Sequence, residues 1–521
     1  MSTRTAIESV DAPTGKPASP GTRPYRPLRM VLTVCPRCLL ETPDLDLVYE
    51  RDILQGSLDV MDGSVYLRRT CQRGHGEIVS LYEEDAALHE YLQQWRVPTR
   101  WLLPDAPGDG RPIPMGYMDG VGDLQDQHTC ILLMDVTEEC NLACPTCFMG
   151  GHPGRNRYAR VADLLRTLDT MIEREGGKVD LLMLSGGEPT LHPELGTILR
   201  EVAARPVTRT VVNTNGILIS RNDRLVAEIA SGRHRVEVYL QFDGFSESAY
   251  RYHRGADLVE TKMRAVTRLT DARVFTTLAA TLARGVNESE IGAIVDFAIA
   301  TDFVGGVMLQ PMFGRAVADP MDRLTTTGTL RRLGEQTGGR IGPNDFIGLP
   351  CSHPDCASIG YLVRTDGAEW RSVATLVGQD RLRQHLGLVG NRIIPDDEMW
   401  VALTGLMSET MLVSRPELVE HLAALSDACS LGLSGFVRTL GRLVIGKERL
   451  LESAALRVKR LSVKSFMDPW TLNIERLKQC CVHVGATDPS QAPVRIPFCA
   501  RETFGPLRTR TVAGMVGRGD L

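Results

Sequence analysis

Between residues 128 and 340, short apolar runs alternate with stretches whose apolar positions recur every three or four residues. The runs Ile131–Val136, Leu181–Leu184, Val207–Val212, Val236–Phe242, Val274–Leu282 and Val304–Leu309 read as strands. Val161, Leu164, Leu165, Leu168, Met171 and Ile172 share one helical face, and Leu195–Ala203 forms a second helix. Further helical stretches lie near 222–230, 258–270, 288–300 and 325–336. Alternation of this kind implies parallel βαβ units joined by right-handed crossovers. Six such units predict an α/β fold, a curved sheet or partial (βα)6 barrel.

The flanks read differently. Residues 1–27 are rich in Pro, Gly, Ser and Thr without an apolar signal core, the pattern of a disordered leader. Residues 28–98 hold two short strand patterns, Val48–Ile53 and Val60–Arg68, around paired cysteines. Residues 99–127 form a Pro/Gly/Asp-rich linker. Residues 341–521 are expected to be mostly helical. Within them, 401–463 carries leucines and methionines at helical spacing with little charge, either an ordinary core or an apolar channel or membrane-surface face.

Composition narrows the class. The 521 residues are 43% apolar and 24% charged with a net charge of −5, which gives no nucleic-acid footprint. No stretch reads as a spanning helix, so a cytoplasmic enzyme with at most membrane-surface contact is expected. The 13 cysteines fall in groups, three at 35–71, four at 130–147 and six at 351–499. Grouped cysteines in a chain of this size point to metal ligands before disulfides.

The polar motifs lie at the carboxyl ends of the predicted strands, the face that carries the chemistry of parallel barrels. Cys140-x₃-Cys144-x₂-Cys147 follows strand one, Gly186-Gly187-Glu188-Pro189 strand two, and Thr214-Asn215-Gly216 strand three. Gln241-Phe242-Asp243-Gly244 ends strand four, Arg284-Gly285-Val286-Asn287 follows strand five, and Gln310-Pro311 ends strand six. Four-iron clusters are normally held by four cysteines, so three on one tight loop leave an iron open to another ligand. A structural zinc site completed from elsewhere is the alternative.

This cysteine spacing, with Gly-Gly-Glu-Pro after the next strand, resembles the radical S-adenosylmethionine superfamily. The resemblance implies a [4Fe-4S] cluster on Cys140, Cys144 and Cys147 whose open iron chelates the methionine end of S-adenosylmethionine. It also implies one-electron cleavage to a 5′-deoxyadenosyl radical, hydrogen abstraction from substrate, and a reductant such as flavodoxin or ferredoxin. By the same resemblance Phe148 lies near the adenine, and Gly186, Gly187 and Glu188 meet the methionine amino group. Gln241 and Asp243 contact ribose or carboxylate, although serine is the commoner residue where Gln241 stands. Asn215 and Asn287 are polar neighbours of the cofactor.

Two further regions carry metal-ligand patterns. Cys35-Pro-Arg-Cys38 and Cys71-x₃-His75 form two knuckles suited to one tetrahedral zinc or iron in a ribbon or rubredoxin-like unit. His75 is either the fourth ligand or a surface histidine. Cys351, Cys356, Cys480, Cys481 and Cys499 suggest at least one auxiliary four-iron cluster, with the adjacent Cys480 and Cys481 expected to face different centres. Cys130 and Cys429 read as core. The whole arrangement resembles the archaeal tetraether lipid synthase group and its pterin-methylase-like relatives. That implies chemistry on an unactivated carbon, with an apolar or small-molecule substrate. C–C bond formation on a lipid chain is the first expectation, and methyl or methylene transfer to a pterin-like molecule is the alternative. A non-catalytic iron–sulfur electron carrier would leave the six-motif face without a role.

Overall fold

The computed structural model describes residues 25–42, 53–95, 129–314, 317, 319–349, 352–364, 369–379, 458–487, 492–512 and 514–521. Residues 1–24 of the leader, the linker 99–127, Cys351, Cys429 and nearly all of the apolar stretch 401–463 lie outside the described residues.

The first unit is an antiparallel meander of β1 (Arg26–Val34), β2 (Ile53–Met61), β3 (Ser64–Cys71) and β4 (Gly76–Glu83), ordered 1-2-3-4. Its β2–β3 turn is Asp62-Gly63, both at positive φ (50° and 79°), the backbone a two-residue hairpin needs. Of the strand pattern expected at Val48–Ile53, residues 48–52 lie outside the described residues, and Ile53 opens β2. The unit docks on the rest of the chain through Asp355, which accepts from Arg29 (2.9 Å) and from the Tyr82 hydroxyl (2.7 Å).

The core follows the predicted alternation. Strands β5 (Ile131–Thr137), β7 (Val179–Gly186), β8 (Val207–Thr214), β9 (Val236–Gln241), β10 (Thr276–Leu282) and β11 (Val304–Pro311) lie side by side, all parallel. A two-residue strand, β6 (Arg157–Tyr158), adds to β5 antiparallel. The intervening helices bury one face. In Val161–Arg174, Leu164, Leu168, Met171 and Ile172 point into the core. Asn222 caps Asp223–Ser231, Ser246 caps Glu247–Arg254, and Gly255 at φ 76° ends that helix.

The region after residue 341 holds strands as well as the expected helices among its described residues, while 380–457 lies outside them. Among its described residues are β12 (Ile347–Gly348), β13 (Ala357–Arg364), β14 (Trp370–Ser372), β15 (Val458–Lys464), β16 (Val482–Thr487) and β17 (Pro493–Pro497), beside short helices. β15 pairs parallel with β11 and β16 parallel with β5, so the C-terminal chain extends both edges of the six-strand core. β13 and β17 then cap those edges antiparallel. Strands of five to seven residues with polar positions, such as Val458-Lys-Arg-Leu-Ser-Val-Lys464, give a weaker periodic signal than the long leucine-rich stretch beside them. No helix among the described residues is long and apolar enough to cross a membrane.

Candidate active site and metal centres

The cysteine loop leaves β5 and folds against the turn after β7. Gly187 N–H donates to the Thr137 carbonyl (2.6 Å) and Glu188 N–H to that of Glu139 (2.8 Å). A Cβ on Gly186, whose φ is 113°, would lie 2.2 Å from the Thr137 carbonyl oxygen, and one on Gly187 2.1 Å from that of Glu139. The glycine pair is what lets the two backbones approach this closely.

Cys140, Cys144 and Cys147 line one pocket with Phe148, Gly186, Gly187, Asn215, Gln241 and Arg254. All three are free thiols. Burial pushes Cys140 up to about 12, and Glu188, Cys144 and Cys147 add to it. Burial also raises Cys144, against the pull of Arg254. Two buried thiols that resist ionising, with Cys147 beside them, form a donor set that a cationic cluster would complete. Several amide atoms at the pocket are buried without a hydrogen-bond partner: Asn141 Nδ2, Asn213 Oδ1 and Gln241 Oε1. Such orphans mark places for a polar ligand. The site therefore fits a three-cysteine cluster with a polar co-ligand beside it.

Other predicted residues lie behind the pocket as braces. The Glu188 carboxylate accepts from Thr190 N–H (3.1 Å), Thr190 Oγ1 (2.6 Å), Thr214 Oγ1 (2.6 Å) and Asn215 N–H (2.7 Å). It ties the loops after β7 and β8 together. Asp243 is fully buried and takes both arms of Arg254 (2.6 and 2.7 Å) and the Thr281 N–H (3.0 Å). Asn287 donates to the Asp243 and Thr281 carbonyls and accepts from Ala283 N–H. Asn215, by contrast, faces the pocket and donates to Asn141 Oδ1 (2.6 Å).

Sequence reasoning passed over Arg254 and Lys262. Arg254 lines the pocket at the end of Glu247–Arg254, held by Asp243 and within hydrogen-bonding reach of Cys144. Lys262 is fully buried and donates to the Asn215 carbonyl (2.5 Å), and burial brings its ammonium down to about 8. The available signal was a cation inside a helix whose neighbours are otherwise core-facing.

The N-terminal knuckles converge. His75 Nδ1 lies 3.4 Å from the sulfurs of Cys35 and Cys38 and 3.5 Å from that of Cys71, and Cys38 and Cys71 are 3.7 Å apart. A tetrahedral zinc with sulfur and nitrogen ligands requires sulfur–sulfur separations of about 3.8 Å and sulfur–nitrogen separations of about 3.5 Å. The three-residue spacing of Cys71 and His75 thus suffices, helped by Gly74 and Gly76 at positive φ. His75 Nε2 meets Glu41 at 3.1 Å, an outer partner of the kind that orients a ligating ring. Burial acts to raise the Cys71 thiol, but the Arg73 and His75 N–H groups outweigh it and bring it to about 6. Cys38→Ala is expected to remove about one equivalent of metal per chain and to lower the melting temperature by more than about 5 °C, read by elemental analysis and calorimetry. The same analysis distinguishes zinc from iron.

Cys356, Cys480, Cys481 and Cys499 gather around two buried cations. Burial opposes the Lys464 ammonium, yet all four cysteines outweigh it. Arg476 Nε donates to Cys356 Sγ at 3.0 Å. Cys480 donates to its own chain at the Val482 carbonyl (3.1 Å), while Cys481 borders a second cavity. Cys480 and Cys481, expected to face different centres, thus lie in one group. Their sulfurs do not form the tight ligand group seen at the N-terminal knuckles, the only such group among the described residues. Wider spacing is what a four-iron cluster requires. Cys130 lies in the core, as expected, its N–H bonded to the Cys481 carbonyl (2.9 Å).

The second cavity, about 150 Å³, lies inside the curve of the sheet. It is lined by Leu133 of β5, Met183 of β7, Val211 of β8, Glu237, Tyr239 and Gln241 of β9, Thr281 of β10, Met308 and Gln310 of β11, Arg460 and Lys464 of β15, and Val482 of β16. Phe148, Met149, Asn213, Gln241, Arg254, Thr281 and Gln310 border both spaces. The thiol pocket therefore opens onto an interior chamber.

Residues 134–298 match the family model of the Radical SAM superfamily. The core of this chain is a radical SAM domain. A domain of this family binds a four-iron cluster and S-adenosylmethionine and works by radical chemistry. The chain is similar to a 7,8-dihydro-6-hydroxymethylpterin dimethyltransferase of Methanocaldococcus jannaschii, at 24% identity over 91% of this chain and 94% of that protein. It is also similar to a GTP 3′,8-cyclase of Chlorobaculum tepidum, at 31% identity over 34% of this chain and 52% of the cyclase. Among solved structures, Streptococcus suis SuiB bound to S-adenosylmethionine aligns with a TM-score of 0.35 at 18% identity, over 41% of this chain and 48% of that one.

Proposed function

We propose that this radical S-adenosylmethionine enzyme transfers a one-carbon unit to a compact, pterin-like heterocycle. The observation that carries this reading is the interior chamber next to the thiol pocket. Its wall includes Glu237, Tyr239, Gln241, Gln310 and Arg460. Glu237 pairs with Arg460, and Gln310 Nε2 donates to the Tyr239 hydroxyl (2.9 Å), but Gln241 Oε1 has no partner among the described residues. An alkyl chain seated there would offer nothing to these groups and leave Gln241 Oε1 stranded, at a cost of about 1–3 kcal/mol. A heterocycle rich in donors and acceptors would satisfy them. Similarity to the pterin dimethyltransferase along 91% of the chain supports the same substrate class. The lipid C–C coupling expected from the apolar stretch 401–463 is the second reading. That stretch lies almost wholly outside the described residues, but the remaining chamber wall, with Leu133, Met183, Val211 and Met308, is apolar and favours it.

In this reading Cys140, Cys144 and Cys147 hold the cluster, which when bound and reduced supplies the electron that cleaves S-adenosylmethionine. Gly186 and Gly187 supply close backbone, Asn215 and Gln241 supply polar contacts, and Phe148 supplies an apolar wall. Phe148 is fixed for this by Phe313, with ring centres 4.7 Å apart, and by Phe498 at 5.8 Å. Glu188, Asp243 and Asn287 keep the loops in register behind them. Cys356, Cys480, Cys481 and Cys499 hold an auxiliary cluster at the chamber's other side, and Cys35, Cys38, Cys71 and His75 hold one zinc or iron. A flavodoxin- or ferredoxin-type donor supplies electrons.

The test is an anaerobic incubation of the reconstituted, reduced enzyme with S-adenosylmethionine and 7,8-dihydro-6-hydroxymethylpterin, followed by mass spectrometry. A methylated pterin is expected together with 5′-deoxyadenosine, methionine and S-adenosylhomocysteine. One S-adenosylmethionine is cleaved to the radical and a second gives up its methyl group, with two electrons supplied by the reductant. If 5′-deoxyadenosine formation responds to lipid and not to pterin, lipid coupling replaces this reading.

A further inference from the structure

Period-two geometry places Glu237, Tyr239 and Gln241 of β9 on one face, and all three line the chamber. Gln241 also borders the thiol pocket. Glu237 lies four residues nearer the opposite end of the strand, a separation of about 13 Å at the usual strand rise. Thr277 Oγ1 donates to Glu237 Oε1 (2.5 Å) and so does Arg460 Nη2 (3.0 Å). Both bonds fall on Oε1, and no donor among the described residues is placed on Oε2. Glu237 is only 3% exposed, and its carboxylate borders the chamber beside Leu133, Met183 and Val211, which stand level with it on the neighbouring strands.

A carboxylate in such a place is costly unless donors meet it. A fully buried parallel strand is ordinarily a continuous apolar run, and Val236-Glu-Val-Tyr-Leu-Gln241 breaks that rule at each inward position. The break is an ion pair, not a lone charge, so one carboxylate oxygen is fixed and the other is left to a ligand. The chemistry that fits is an edge with two adjacent N–H donors, as in the 2-amino-4-oxo pyrimidine of a pterin or a guanine. About 13 Å leaves room for one fused bicycle with that edge at Glu237 and its far ring beside Gln241 and Arg254.

Resting on the reading that the substrate is a compact heterocycle, we infer that Glu237, pinned by Arg460 and Thr277, is the specificity-determining residue that binds the 2-amino-4-oxo edge of the substrate. A site built to hydrogen-bond an amino group rejects the analogue that lacks it, because its own polar group is then stranded. Replacing the amino group by a carbonyl turns a donor into an acceptor facing a carboxylate.

The test uses the reconstituted, unreduced full chain with S-adenosylmethionine present, so that nothing turns over. Equilibrium binding is measured for 6-hydroxymethylpterin, for 6-hydroxymethyllumazine (2-oxo in place of 2-amino) and for guanosine. Wild type is expected to prefer the pterin over the lumazine at least tenfold. Glu237→Gln is expected to abolish that preference while keeping its iron content and its affinity for S-adenosylmethionine. Pterin and lumazine binding equally to wild type would overturn the role of Glu237 and leave the proposed substrate class standing. That comparison needs no variant, so it decides even if E237Q fails to fold. Preference for guanosine over pterin would support the edge recognition and replace the pterin itself. Binding of none of the three would overturn the substrate class, and this inference with it.

Discussion

Cys144→Ala is expected to abolish 5′-deoxyadenosine formation, at least 100-fold below wild type, and to strip the iron held by this loop. The sequence supplies three thiols here where a four-iron cluster normally takes four ligands, so none is redundant. Removing one leaves Cys140 and Cys147 at the ends of an eight-residue loop with nothing between them. Cys130→Ala is the matched control. It lies just before β5, at the other end of the strand from the cysteine loop, is 2% exposed among core side chains and does not line the pocket. Its loss should cost stability on the scale of a small cavity and spare cleavage. Iron content and anaerobic product analysis on the two variants distinguish ligand from core. If Cys144→Ala kept both its iron and its product, the cluster would not be held by this loop.

The contrast between these two cysteines shows what sequence reasoning could reach. Strand–helix alternation in 128–340 is a repeated signal, and its six strands appear in the predicted order because each is a short apolar run bounded by turn residues. The loops that follow them are close together in space for that reason, and the thiol pocket inherits its members from topology alone. Roles within the pocket were harder to read. Glu188, Asp243 and Asn287 are polar residues at strand ends, as a ligand-binding group would be, yet their hydrogen bonds run to Thr190, Thr214, Arg254 and Thr281. Nothing in a linear pattern distinguishes a side chain that faces the pocket from one that braces it. Arg254 escaped notice because its partner, Asp243, lies eleven residues away across a strand-to-helix turn. β15 and β16 were hidden in a different way. They complete the sheet only by pairing with strands more than 140 residues distant, and local periodicity carries no information about such pairing.

Arg254→Met carries the second large effect. Asp243 is fully buried, and burial by itself would raise its carboxyl. Arg254 overrides that and holds it below the usual carboxylate range. A group with a lowered folded-state pKa contributes stability that is present above the unfolded value and lost as pH falls through the folded one. Wild type should therefore show no dependence on this pair between pH 6 and 8. Removing the guanidinium strands a buried carboxylate, which typically costs about 3–5 kcal/mol. It also reverses the sign: with burial now dominant, the carboxyl is raised in the folded state, and stability falls as pH rises. The variant's melting temperature is expected to increase on acidification from pH 8 to 6 while that of wild type stays level. Adding Asp243→Asn to Arg254→Met removes the stranded charge and should restore part of the loss and flatten the pH profile. Recovery of stability should not bring recovery of 5′-deoxyadenosine, because Arg254 also lies within hydrogen-bonding reach of Cys144 and lines the pocket itself. A double variant that regained both would reduce Arg254 to a brace for Asp243. One that regained stability alone would place its guanidinium among the groups that keep the cysteine loop competent.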